Sequence, residues 1–515
     1  MSRLARSTLI VAVFFGLEKV LGFARQVLIA RTFGLSPTLD VFNAANNLPD
    51  LIFVLVAGGA LWVAFIPVLS EYLEKQGRPA AWDLFSRIAN LVFLIAAGLS
   101  ILVALFADQL VRWRLGIAPG FTLEQQELVA SLMRLNLLAT LLFSLGGLVI
   151  AGLQANQHFL LPAIAPSMYD IGMLFGVLIL APEQGYQLGP ITLPAFGFGI
   201  YGLVYGVILG AALFLLVQIP GLFRYQFRWT PRIDLRHPGV QHVLTLLGPR
   251  VLTVFFIQLI FYIQDNIASY LPKGSVSALV YGWLFMQVPE TIIGTALGTV
   301  LLPTLSEQIV RGEVEAFRLS LNRVLRVILA LTIPIAALIA VGITPVVRLL
   351  GFDAAGTALV VWTARAYLLG LMGHSLLEVS ARAFYAQQDA RTPLIAAALT
   401  TAAFFILAIV LGPRLGAPGI GLANVLAFTG EAILLWVLLN RHYSGILNVG
   451  STLLRALLAA ACGGIVVFLV LRLSSDYLAP SGLILQVGAA LIAMGLGALV
   501  ALPFVWREVR LLVRL

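Results

Sequence analysis

Apolar residues run through this chain in long stretches from one end to the other. Each is close to the roughly 20 residues that cross a bilayer as a helix. The stretches fall at residues 7–32, 38–70, 81–107, 125–152, 158–181, 197–218, 239–268, 275–303, 319–342, 358–386, 392–412, 416–440, 450–474 and 482–506. They predict about fourteen transmembrane helices. Alternation with period two is absent, which excludes a β-barrel. The longest polar interval, around residues 224–237, is too short to fold by itself. The pattern is that of an all-α polytopic membrane protein.

Composition agrees. The chain of 515 residues is 60% hydrophobic and 11% charged, with a mean hydropathy of +1.00. Soluble domains carry roughly 25% charged residues. The single cysteine, Cys462, permits no intrachain disulfide, and the five histidines form no metal-ligand spacing. The start, with Arg3 and Arg6 ahead of the apolar run from Ser7 to Leu17, is built like a signal sequence. No small-x-small cleavage pattern follows. Glu18, Lys19 and Arg25 lead instead into more apolar sequence, so an uncleaved first helix is expected.

The net charge of +9 gains meaning from its placement. With the N-terminus in the cytoplasm, 19 of the 32 Lys and Arg residues fall in inside segments, 7 in outside segments and 6 within spans. Positive-inside bias therefore supports both the helix count and cytoplasmic placement of both termini. The basic balance is topology and not a nucleic-acid footprint.

The chain repeats itself. Leu48-Pro-Asp50 and Pro67-Val-Leu-Ser-Glu71 return as Val288-Pro-Glu290 and Pro303-Thr-Leu-Ser-Glu307, the second copy about one helical turn shorter. Ala155-Asn-Gln-His-Phe-Leu-Leu-Pro162 returns as Ala386-Gln-Gln-Asp-Ala-Arg-Thr-Pro393. The copies are six helices apart, an even number, so the two halves run parallel. This predicts a six-helix lobe at 1–222, a second at 223–442 and two further helices at 443–515. The lobes are expected to face each other around a central cavity.

Charges at bilayer depth cost several kcal/mol unless they face protein or water. Glu18, Gly22 and Arg25 share one face of the first helix. Asp40, Asn43, Asn47 and Asp50 form a narrow stripe on the second, expected to line a hydrated cavity opposite the first. Gln258, Tyr262 and Asp265 share a face of the seventh, with Arg250 nearby. Lys19 has two readings, cavity lining or snorkelling. Asp265 also has two: an interfacial contact, with Lys273 for instance, or one oxygen ligand of a coupling cation. Glu378 and Arg382 are spaced for an intrahelical ion pair, and cavity lining is the other reading. Arg134 and Arg365 are near enough to helix ends to snorkel, and His374 reads as a satisfied polar contact. Prolines recur in or beside the spans, where they permit bends. No Walker A loop, His-Glu-x-x-His or serine-nucleophile motif is present. The reading is a transporter and not an enzyme.

Glu18-Lys-Val-Leu-Gly-Phe-Ala-Arg25-Gln, then Ala30-Arg-Thr-Phe-Gly34 and Asp40, resembles the opening of the MurJ (MviN) flippases. The resemblance continues through Leu48-Pro49, Ala64-Phe-Ile-Pro-Val-Leu-Ser-Glu71, Gly274-Ser-Val-Ser277, Ala296-Leu-Gly-Thr-Val-Leu-Leu-Pro-Thr-Leu-Ser306 and Phe384-Tyr-Ala-Gln-Gln-Asp-Ala-Arg-Thr-Pro393. It implies the fold of the multidrug/oligosaccharidyl-lipid/polysaccharide exporters in the bacterial inner membrane. The two C-terminal helices would form a groove for a polyprenyl tail. The substrate would be lipid II, the undecaprenyl-diphosphate-linked peptidoglycan precursor. Its diphosphate would meet Arg25 and Lys19, with Arg250, at a position where the family has no fixed cation, as a compensating third charge, and an ion gradient or the membrane potential would drive it outward. No cofactor beyond a coupling cation is implied, and cell-wall synthesis proteins are the implied protein partners. The chain departs from the family at Phe53, Gly58, Trp283, Leu284 and Gln287, where the family usually carries charge, and at Lys19 and Gln26. These losses keep two alternatives open: an exporter of another polyprenyl-linked glycan or amphipathic small molecule, and a non-transporting envelope scaffold.

Overall fold

A computed structural model describes residues 3–478 and 482–512. Met1 and Ser2 of the basic head, and Arg514 of the inside charges, lie outside the described residues. The chain divides into two compact units, residues 1–266 and 267–515. The first holds α1 (Arg3–Phe33), α2 (Pro37–Ala57), α3 (Gly59–Lys75), α4 (Gly77–Leu105), α5 (Ala107–Arg112), α6 (Leu123–Ala155), α7 (Leu160–Phe175), α8 (Ile200–Leu216), α9 (Ile219–Arg224) and nearly all of α10 (Pro238–Ala268). The second holds α11 (Ser275–Glu290), α12 (Ala296–Val310), α13 (Val314–Gly342), α14 (Thr344–Arg348), α15 (Ala354–Leu368), α16 (Leu371–Ala386), α17 (Arg391–Leu415), α18 (Ala417–His442), α19 (Thr452–Leu478) and α20 (Leu483–Leu512).

Among the described residues, twelve helices are long and apolar enough to span a membrane, and the bent pair α15–α16 makes thirteen. With the 31-residue α1 ahead of them, the order accommodates about fourteen spans. Helix dominates because lipid offers no partner to a bare peptide group. Local chemistry sets the ends. Ser36 accepts from the Leu39 amide at 3.2 Å and Pro37 follows it, so α2 starts there. Thr122 and Gln125 form a reciprocal capping box at the start of α6. Large apolar side chains such as Phe93, Leu94, Ile101, Ile492 and Leu499 are exposed, as lipid solvation requires.

Three expectations change. The second span, expected as one run over 38–70, is two helices. The backbone leaves the helix at Gly58, where ψ is −170°, between Pro49 and Pro67. Its copy solves the same problem differently, with a π-helical turn at Thr291–Thr295 between Pro289 and Pro303. The four extra residues of the first copy lie in this interval. The span expected at 358–386 bends by 42° between Leu368 and Leu371. There Gly370 and Gly373 bring the chain against Val425 and Thr429 of α18. A small antiparallel hairpin, Gln187–Leu188 with Ile191–Thr192, sits in the loop before α8, where no strand was expected.

The units divide at 266/267, near the end of α10, while the sequence placed that helix in a second lobe beginning at 223. The side chains of α10 account for this. Gly239 packs against Tyr72 and Leu84, and Val240 and Val243 join the core around Phe65, Phe85 and Leu148. At its other end Tyr262 donates to the Leu115 carbonyl at 2.9 Å, and Asn266 to the Gly116 carbonyl at 2.5 Å. The polar interval before it is tied to α4: Arg87 bridges Asp83 and Asp234, and Asn90 donates to the carbonyls of Thr230 and Arg232.

In the second unit a core of Phe317, Leu321, Val379, Phe384, Trp436 and Leu439 joins α13, α16 and α18. The hairpin α19–α20 closes through Gly463 and Gly497, each too near the other's backbone to admit a Cβ. It lies against α13 through Leu338, Val467 and Ala493.

Candidate functional site

The polar residues inside the first unit begin with α1. Its Arg25 meets Asp170 of α7 at 2.7 Å, with the two side chains 17% and 3% exposed. The guanidinium also stacks over the Tyr169 ring at 5.1 Å. Gly22, one turn earlier on the same face, leaves room for the Asp170 carboxylate. Arg25 Nε and Asp170 Oδ2 are buried and make no hydrogen bond in this arrangement. The pair is therefore charge-matched but not saturated.

Close packing holds Asp170 in place. Gly172 and Gly176 of this span face Gly202, Gly206 and Gly210 of α8, with backbones near enough that an added Cβ at any of them would meet the opposite chain. Small residues at spacing four let two spans approach this closely. Gly210 abuts Tyr169 itself, so the α7–α8 seam fixes the partner of Arg25.

Lys19 pairs with its neighbour Glu18 at 3.2 Å and is exposed. Arg250 is exposed on α10. Thus the three expected diphosphate ligands differ in setting, and Arg25 is the one embedded in polar structure.

The stripe on α2 is divided. Asn47 donates to Asp265 of α10 at 2.9 Å, and Asp265 is buried. Asp40 is buried near the start of α2, Asn43 is half-buried and Asp50 is exposed. Asn46, off the expected stripe, accepts from Asn136 of α6 at 2.7 Å, and Thr140 donates to the Pro49 carbonyl at 3.2 Å. These bonds tie α2 to α6 and α10 beside a proline that cannot complete the helical ladder. Among these contacts α1 is joined to α7, and the α2 stripe meets α10.

In the second unit Arg382 meets Glu378 at 2.7 Å within α16. Its other contacts point to the π-helical turn: Arg382 reaches toward the Thr295 carbonyl at 3.5 Å, and Thr295 donates to Glu290 at 3.3 Å. Gly298 makes room for the guanidinium. His374 bonds Asn424 at 3.0 Å with Phe428 and Trp283 rings around it. Arg134 is held by Asp108 at 2.6 Å, and Arg365 donates to the Ala340 carbonyl at 2.8 Å.

Asp170 and Tyr169 were not singled out from sequence, and Glu290 entered only as part of the repeat. Asp170 carried a usable signal. A lone carboxylate inside the apolar run 160–180 needs a cation, and Arg25 needed an anion.

The family model described as lipid II flippase MurJ matches residues 29–488. The lipid II flippase MurJ of Burkholderia cenocepacia is 31% identical over 521 aligned residues, covering 98% of this chain and 92% of that protein. A probable lipid II flippase MurJ of Rhizobium meliloti is 30% identical, covering 86% and 82%. A solved structure of lipid II flippase MurJ in an inward closed conformation superimposes with a TM-score of 0.78 at 24% identity, covering 98% of this chain and 100% of that one. An inward-facing multidrug-resistance MATE family transporter of the MOP superfamily gives 0.67 at 14% identity, covering 84% and 96%. The fold is shared with both, and the chain belongs to the MurJ family of polytopic membrane proteins.

Proposed function

We propose that this protein is a flippase that moves lipid II across the bacterial inner membrane by alternating access, with both termini in the cytoplasm. Family membership supports the reaction class, and the charge asymmetry of the loops supports the orientation. The observation that carries the site is the Arg25–Asp170 pair that joins α1 to α7. A diphosphate offers a guanidinium two acceptor oxygens in the bidentate geometry that strengthens such contacts. Arg25 spends one nitrogen on Asp170 and keeps Nε unbonded. Diphosphate binding would recruit that nitrogen and weaken the hold of Asp170. Re-forming the pair would help expel the phosphate on the far side. Lys19, exposed beside Glu18, adds positive charge on the same helix. An ion gradient or the membrane potential supplies the driving force in this reading.

A second reading is favoured by one observation. Two positions where the family usually carries charge are built into aromatic packing: Phe53 lies against Phe143 at 5.8 Å and Trp283 against Tyr367 at 5.5 Å. Fewer charges suit a less charged headgroup, so the cargo would be another polyprenyl-linked glycan.

Complementation of a bacterium depleted of its own lipid II flippase, with a probe for lipid II in the outer leaflet, separates the two. Growth together with outer-leaflet lipid II, both lost in Arg25→Ala, supports lipid II transport. Absence of rescue by a correctly inserted protein transfers the assignment to the second cargo.

A further inference from the structure

The second unit contains a cavity of about 400 Å³, remote in sequence from Arg25, lined by Arg318, Asn322, Arg326, Asn448, Arg455 and Arg507. The early turns of α13 and α19, the end of α20 and the 443–451 segment surround it. Arg326 and Arg455 converge on Glu508 at 3.1 and 3.3 Å. Glu508 is fully buried and also accepts from Thr452 at 3.0 Å. All three contacts fall on one carboxylate oxygen, so Glu508 anchors two of the lining guanidiniums from behind the cavity wall. Arg318 pairs with Glu315 and donates to the Ser444 carbonyl at 3.1 Å. Arg507 is exposed and has no ion pair among the described residues. Four guanidiniums against the carboxylates of Glu508 and Glu315 leave a surplus of two positive charges.

The rim is structured. Asn322 donates to the carbonyls of Ile446 and Asn448 at 2.8 and 2.9 Å, and Asn440 accepts from the amides of Gly445 and Leu447. Gly445 and Gly450, at φ +95° and +54°, let the segment turn back over the cavity. Next to it, Leu453, Leu454 and Leu457 of α19 and Trp506 of α20 are exposed. An anion-binding hollow thus borders an apolar surface.

We infer that this arginine pocket is a binding site for the phosphate of a membrane lipid headgroup. All its cations are arginine, whose planar fork matches phosphate oxygens two at a time. A surplus of two charges fits a headgroup carrying a phosphate dianion or a diphosphate, and the apolar surface alongside fits acyl or prenyl chains. Basic pockets between spans on the cytoplasmic side bind anionic headgroups by this chemistry. The site rests on its own geometry, and only its assignment to the cytoplasmic leaflet rests on the orientation proposed above.

The test is native mass spectrometry of the full chain, titrated separately with phosphatidylglycerol, undecaprenyl diphosphate and inorganic pyrophosphate. The variant is Arg318→Gln with Arg507→Gln, which leaves the Glu508 cluster intact. Its affinity for the retained lipid should fall about tenfold, as expected for losing charge-assisted contacts. Added salt should weaken lipid retention by the native chain. Preference for undecaprenyl diphosphate would make the pocket a loading site for the substrate, and preference for phosphatidylglycerol would make it a bilayer-lipid site. Competition by pyrophosphate would show that the headgroup suffices, and its absence would show that the tail is needed. Unchanged affinity for every probe in the folded variant would overturn the inference, as would salt-insensitive retention by the native chain if the variant does not fold. Failure of lipid II rescue with lipid retention intact would count against the proposed function and leave this site standing.

Discussion

Gln157 and Gln388 adopt the same left-handed backbone, at φ +58° and +59°, in the two copies of one interhelical turn. The hydrogen bonds repeat with them. The amides of His158 and Asp389 return to the carbonyls of Leu153 and Phe384 at 2.9 and 3.0 Å, and those of Gln157 and Gln388 to Gln154 and Tyr385 at 2.9 Å each. Even the preceding side-chain amides match, Asn156 donating to Gly152 and Gln387 to Ala383. The repeated motif therefore encodes one helix-ending turn twice. Glutamine adopts this conformation against its Cβ. Gln157→Gly and Gln388→Gly should each stabilise the protein by about 0.5–1 kcal/mol. Valine at either position should destabilise it. Thermal unfolding in detergent checks both, and glycine variants that unfold earlier would refute the strain argument.

This turn illustrates what sequence could and could not convey. The spans were legible because lipid forces long apolar runs into helix. The repeat was legible because its polar residues recur in register. The break at Gly58 was hidden because Pro49 and Pro67 look like ordinary kinks, and only the backbone reveals that the helix stops between them. Arg25 was legible as a charge at bilayer depth, but its partner Asp170 lies on another helix and shares no spacing rule with it. The arginine pocket was hidden for a similar reason. Its arginines come from three distant segments, on α13, α19 and α20, and each looked like an inside charge that orients the chain.

Asp389, the counterpart of His158 in the repeated turn, lies two residues before the start of α17 and satisfies its first amides. It accepts from the amides of Arg391 and Thr392 at 2.9 and 3.0 Å and from the Thr392 hydroxyl at 2.6 Å. Partial burial pushes its carboxyl up, but the Thr392 and backbone hydrogen bonds outweigh this and hold it below the usual range. A lowered folded-state value means that the stabilisation is present above the unfolded value and fades as pH falls through the folded one. Asp389→Ala should cost about 1 kcal/mol at neutral pH. The difference from the native chain should shrink as pH drops below about 4. Unfolding curves at neutral and acid pH test this, and a gap that widens in acid would contradict it.

The α7–α8 seam predicts a steric effect on the site. A Cβ at Gly206 would lie 2.8 Å from the Gly176 Cα, so Gly206→Leu must push the helices apart. Overpacking of this kind costs about 1–3 kcal/mol. It should also displace Asp170 and lower transport. Gly98 of α4 has open space around its Cα, and Gly98→Leu should change stability by no more than about 0.5 kcal/mol. Equal effects from the two substitutions would show that the seam is not under steric control.

The Arg25–Asp170 pair can be separated into structural and transport roles by a double-mutant cycle. Arg25→Leu leaves a carboxylate that is 3% exposed without its cation, and Asp170→Leu leaves a guanidinium without its anion. Each single change should destabilise the protein by about 3–5 kcal/mol. The double leucine variant removes both charges and should recover most of that loss, since an apolar pair of similar volume replaces a buried ion pair at little cost. Transport should not return with stability, because the phosphate has lost its guanidinium. Asp170→Asn completes the cycle by keeping the shape while removing the competing charge. It should bind the diphosphate more tightly than the native chain yet release it more slowly. Stability from unfolding and transport from outer-leaflet lipid II together decide the matter. A double leucine variant that both folds and transports would make the pair a structural brace and place the phosphate elsewhere.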